Sequence, residues 1–282
     1  MFIVEEKELK RILTEIADNE YNLLEEYDYE KLTNEMLNKI GTVDSELRDE
    51  LIYMITANWI MDDIYNKDEL KQILNICLDE NHLYYKLGQK NDDSVFTRSF
   101  SALILAVLFH KDIEFNFITL DDFKVSSEKI INYYTKEEDI RGFVEEKGWA
   151  HTAAHGADIL KEIGRSKKAD KKILRESLSA IKEKSQVDDY IYFNGEDERI
   201  AQAVNSILKN KSIDDDAINR WFKELVSIKK FGGRKEYDTL IFNLKNLLKS
   251  LYFEIISDEE ANDKYLMLIT NDLKELAQKR FK

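Results

Sequence analysis

Apolar side chains recur at helical spacing along most of the chain. Leu9, Ile12, Leu13 and Ile16 mark one face within residues 8–17. Residues 44–61 repeat the pattern with Leu47, Leu51, Met54, Ile55, Trp59 and Ile60, and Leu70, Ile73, Leu74 and Cys77 continue it. Leu240, Leu244, Leu247, Leu248, Leu251 and Ile255 do the same within residues 238–256. Three or four apolar residues per two turns give a helix one buried stripe. Residues 51–61 and 100–109 are apolar nearly all round, which predicts helices enclosed by others. Period-two alternation appears only in fragments such as 190–193, so little or no sheet is expected. The pattern predicts an all-α fold of about eleven to thirteen helices joined by short loops.

Punctuation supports this. Thr135 with Glu138, and Ser257 with Glu260, fit the capping box at a helix start. Gly164 and Gly195 read as helix stops or turns, and Gly232-Gly233 as a turn. There is an internal echo. Tyr134, Glu138, Asp139 and Arg141 share the spacing of Tyr192, Glu196, Asp197 and Arg199, with looser versions ending at Arg48 and Arg98. The arginine intervals approach the period of stacked helical pairs, which predicts an α-solenoid of HEAT-like repeats. In that reading Arg48, Arg98, Glu138, Asp139, Glu196, Asp197 and Arg199 form structural ion pairs between repeats. The acids would also favour the positive ends of helices. One domain, 1–282, is expected, with a subdivision placed near 110–125.

Composition narrows the classes. The chain has 282 residues, no proline and one cysteine. Lack of proline matches the residue bias of an AT-rich genome as well as helix, so periodicity carries the fold argument. One cysteine excludes an internal disulfide and a cysteine-rich zinc site. The start, Met1-Phe2-Ile3-Val4-Glu5, lacks the basic head and apolar segment of a signal peptide. The longest purely apolar run, 102–109, falls well short of the roughly 20 residues that span a bilayer. A cytoplasmic protein without a membrane segment is expected. The formal net charge of −14 argues against nucleic acid, whose binding needs phosphate neutralisation. Lys167, Lys168, Lys171 and Lys172 read as a solvated face.

The chemistry-bearing residues cluster in 141–158. On one helix at 100° per residue, His151, His155, Asp158 and Glu162 fall at about 0°, 40°, 340° and 20°. That polar stripe faces away from Trp149, Ala153, Gly156, Ile159, Leu160 and Ile163, whose small members admit close helix packing. Arg141, Trp149, His151, His155 and Asp158 are therefore the candidate binding residues for a protein, peptide or small ligand. The alternative is a metal-dependent hydrolase using His151, His155 and Asp158, since histidine and carboxylate suit zinc, iron or manganese. The zinc helix that carries two histidines at this spacing has glutamate where Thr152 stands. A third alternative is structural, with the histidines bonded to neighbouring helices. Cys77 reads as core, and Ser99 and Ser101 have no histidine beside them in sequence. No complete catalytic set is present, so binding is favoured over catalysis and no cofactor is expected.

The run Arg141-Gly142-Phe143, Gly148-Trp149-Ala150-His151, Ala154-His155, Ala157-Asp158 and Leu160 resembles the signature of bacterial domain-of-unknown-function family 2785. Ile40-Gly41 through Tyr53, Phe96 through Leu103, Glu196-Asp197-x-Arg199 and Leu251-Tyr252-Phe253 are similar to its other blocks. The resemblance covers roughly 35–260. It implies an all-helical, HEAT-like protein and no established activity. Ser45 stands where the family often has proline, a change that a helix start tolerates.

Overall fold

The computed structural model describes residues 5–228, 232–258 and 262–279. Met1 to Val4 and the Glu260 end of the Ser257 capping box lie outside the described residues. Among the described residues, twelve α-helices, one π-helical segment and one two-stranded sheet account for the regular structure. Helix α1 is Glu6–Asp18 and buries Leu9, Ile12, Leu13 and Ile16, the four positions marked by the periodicity. Helix α2 is Tyr29–Asn38. A π-helical segment, Glu46–Tyr53, runs directly into α3, Met54–Met61. Helix α4, Lys67–Cys77, opens with a capping box. Asn66 accepts the Glu69 N–H and Glu69 accepts the Asn66 N–H.

Helix α5, Ser94–Phe115, is buried on nearly every side. Its length and composition would suffice to cross a membrane, yet 78% of its apolar window is buried within the structure. It is a core helix, and it carries Arg98. Helix α6 is Leu120–Lys136, so Thr135 lies in its last turn and bonds back to the Ile131 carbonyl rather than capping a new helix. Then comes the hairpin, β1 Phe143–Val144 and β2 Gly148–Trp149, antiparallel, with Phe143 opposite Trp149. Two residues per strand are too few to leave a period-two signature.

Helix α7 is Thr152–Arg165. Helices α8, Lys171–Ser185, and α10, Asp215–Leu225, start at aspartate caps, Asp170 and Asp214. Helix α9 is Glu196–Lys209, preceded by the left-handed Gly195, while Gly164 sits inside α7. Helices α11, Arg234–Ile256, and α12, Asp263–Lys279, complete the chain. The all-helical expectation therefore holds.

Contacts divide the chain into two compact units. One comprises the chain up to Thr119 with Lys136–His155; the other comprises Leu120–Thr135 with the chain from Gly156. In the first, α1 packs on α3, and α3 on α5. Helix α2 meets α4 where Tyr29 donates to Glu69, and the Thr33 and Tyr65 hydroxyls meet nearby at 2.7 Å. In the second, α8 packs on α10, α10 on α12, and α9 on α11. Gly164 of α7 lies against the backbone of Ile207 in α9, where a Cβ would come within 2.9 Å of the Ile207 nitrogen. Helix α6 reaches α8 through Glu128 and Lys172. In each unit, helices thus touch the next but one in sequence as well as direct neighbours, α4 on α5, α8 on α9 and α11 on α12.

Candidate functional site

The hairpin is held by a buried arginine, Arg48. Arg48, fully buried, pairs with Asp49 at 2.7 Å and lies over the rings of Phe96 and Phe100. It donates to the carbonyls of Thr42 and Lys147, both at 2.7 Å. Carbonyls, a carboxylate and aromatic faces thus compensate the buried guanidinium charge, although its Nε makes no hydrogen bond among the described residues. Gly148 closes the turn at φ +80°, and a Cβ there would meet Ser45 at 2.7 Å and Arg48 at 2.9 Å. Only glycine fits both the backbone and the space. Burial pushes the Asp49 carboxyl up to about 6, against the opposing pull of Arg48 and of a backbone hydrogen bond from Trp149.

Asp139 fastens the strand that enters the hairpin. Its carboxylate takes Arg141 Nε at 2.8 Å and Nη2 at 2.6 Å in a forked pair, and also the Asn91 N–H. Its carbonyl accepts the Thr152 hydroxyl. Arg141 also donates to the Asp92 carbonyl at 3.0 Å. The guanidinium expected to bind a ligand is thus occupied in positioning the chain.

Trp149 is exposed at 37% and Phe143 at 55%. The two rings meet edge to face, 5.1 Å apart, and His151 stacks on the indole at 4.8 Å. His151 adopts φ +49° just before α7, so it is not a helical residue, contrary to the helical-wheel expectation. His155 lies in the first turn of α7 and its ring meets that of His151 edge-on at 5.6 Å.

The polar stripe of α7 does not face away from the core. His155, Asp158 and Glu162 are as buried as the apolar face, at 7%, 4% and 4% exposure. Small residues let neighbours close on the helix. Gly156 lies under Tyr134, whose ring a Cβ would approach within 2.3 Å. His155 Nδ1 is 2.8 Å from Ser99 Oγ, a contact that sequence distance concealed. The Ser99 hydroxyl donates its one proton to the Ala150 carbonyl. The imidazole must therefore donate to Ser99, which is the reverse of nucleophile activation. Asp158, in the part of α7 belonging to the second unit, is forked by Arg199, with Nε at 2.7 Å. Its oxygens are taken, and no group of three or more His, Cys, Asp or Glu side chains among the described residues could hold a metal ion. The hydrolase alternative built on His151, His155 and Asp158 lacks its ligand set.

The ion-pair expectations are redistributed. Arg98 engages Glu137 rather than its neighbours, with Nη2 at 2.9 Å. Glu138 lies at the surface, 3.5 Å from Lys90. Asp197 accepts the Ser250 hydroxyl at 2.7 Å, and Glu196 accepts the Asn194 N–H. Burial holds Glu196 above its ordinary range. The two echoes differ in setting: Tyr134 ends a helix and Arg141 precedes the hairpin, whereas Arg199 sits in the first turns of α9. A separate cleft of about 620 Å³ in the first unit is lined by Thr42, His82, Tyr85, Asp92 and Thr97. His82 there is held by Asp79 and lies 3.3 Å from the Leu37 carbonyl.

Fold and site together define an all-helical protein in which the buried Arg48 and the half-buried Arg141 brace an exposed aromatic hairpin. The family model described as protein of unknown function (DUF2785) matches residues 83–253, more than half of the chain, and the chain belongs to that family. No curated protein and no solved structure matches it.

Proposed function

We propose that this chain is a helical-repeat binding module, HEAT-like in its stacking, that docks a protein or peptide partner on the Phe143–Trp149 hairpin. The observation that carries the reading is the exposed cross-strand aromatic pair on a rigidly braced turn. Exposed aromatics rimmed by polar residues mark interaction sites, and tryptophan is enriched among the anchors at such sites. Next-but-one helix packing within each unit supports the stacked-pair reading, since helical-pair repeats contact their neighbours in that order. A single buried thiol, Cys77, suits work in the cytoplasm. His151 serves as the stacking floor of the indole, and His155 and Arg141 as the groups that fix the hairpin's base.

The test replaces Phe143 with a photoreactive phenylalanine and irradiates the protein in cells. A discrete cross-linked partner is expected, lost on Trp149→Ala while circular dichroism and thermal unfolding stay unchanged. Cross-linking that ignores Trp149→Ala would sink the reading.

A further inference from the structure

The hairpin's charges indicate what it docks. Within 139–151 the acids are Asp139, Glu145 and Glu146, and the bases are Arg141 and Lys147. Arg141 is forked onto Asp139. Lys147 reaches both oxygens of Asp93 at 2.8 Å. Each base is thereby matched, and the exposed hairpin loop presents Glu145 and Glu146. Beneath it, Arg48 is matched by Asp49. An indole stacked on one side by His151, open over 37% of the residue, thus stands beside uncompensated negative charge on a chain of net charge −14.

Resting on the docking reading above, we infer that the occupant is a cationic peptide segment that lays an arginine or lysine side chain on the Trp149–Phe143 pair, with Glu145 and Glu146 flanking it. An aromatic face attracts a cation through its quadrupole, and guanidinium stacks on it as well. The acids add attraction and steer a positive partner toward this face. An acidic peptide is repelled by the same groups.

The protein carries its own probe. Of its three tryptophans, Trp59 and Trp221 are buried and Trp149 is exposed, so acrylamide quenching reports on Trp149. The full chain is titrated with three unstructured octapeptides: alternating Arg and Ser, alternating Glu and Ser, and alternating Leu and Ser. The Arg peptide should protect Trp149 saturably and the Glu peptide should not. Glu145→Gln with Glu146→Gln should weaken binding by roughly five-fold, within the range of one exposed cation–π or ion-pair contribution. Raising salt should weaken it as well. Calorimetry on Trp149→Ala should show no binding of the Arg peptide. Equal protection by the Leu peptide, or insensitivity to the double glutamine variant, overturns the cationic assignment and leaves the docking reading standing. No protection by the Arg peptide, alongside a Trp149-dependent cross-link in cells, does the same. Loss of that cross-link's dependence on Trp149 overturns both.

Discussion

Arg98 shows how a single residue organises its surroundings. It is fully buried in α5, pairs with Glu137, and donates to the carbonyls of Tyr85, Lys86 and Gln89 and to Ser94 Oγ. One side chain thus gathers the loop before α5 and the segment after α6. Breaking a buried pair from one side leaves an uncompensated charge, at a cost of about 3–5 kcal/mol. Arg98→Met should cost that much in urea unfolding. Arg98→Met with Glu137→Leu should cost less than the single change, because no buried carboxylate is stranded. A double variant as unstable as the sum of both singles would show that the carbonyl contacts, not the ion pair, dominate. The arginine could be singled out in the sequence. Its partner could not, because Glu137, Glu138 and Asp139 are adjacent acids and only the backbone path after α6 decides which one reaches Arg98.

At the scale of elements, the hairpin depends on one backbone conformation. Gly148→Ala meets two penalties: a left-handed φ, costing about 1–2 kcal/mol for a residue with a Cβ, and collision with Ser45 and Arg48. Expected losses are roughly 2–4 kcal/mol in total. Acrylamide quenching of Trp149 should rise as the turn loosens. A variant with wild-type stability and quenching would remove the claim that this turn positions the aromatic pair. Helix α7 carries the opposite lesson. Its wheel separates a polar stripe from an apolar one, yet both are buried. A wheel reports which residues share a face, not how many faces are covered. Ser99 against His155, and Arg199 against Asp158, cover the polar face with partners that satisfy it.

At the scale of the whole molecule, charge and burial pull stability in opposite directions with pH. Burial raises Asp49 to about 6 and Asp272 to about 7, and Asp272 Oδ2 is buried without a hydrogen-bond partner among the described residues. A carboxyl raised by folding is neutral in both states below its unfolded value. Its ionisation then disfavours the fold as pH rises through the native value. Stability should therefore decline from about pH 4 to about pH 7 through these two groups. Asp214, held at about 2 chiefly by Lys171, acts oppositely, and its contribution is lost only as pH falls from about 4 through that value. Asp272→Asn should raise the unfolding midpoint at pH 8 and leave it nearly unchanged at pH 4. Equal shifts at both values would refute the assignment.

The chain's own pattern determined the helices, because helical periodicity and caps are set by residues within four positions of each other. It also marked the stretch 141–158 as distinctive. The tertiary structure decided the pairings and the exposure. Arg98 finds Glu137 across 39 residues, Arg199 finds Asp158 across 41, and Ser99 finds His155 across 56. Such partners are chosen by which helices pack together, and local spacing carries no record of that. The same packing buried His155 and Asp158 and left Phe143 and Trp149 at the surface.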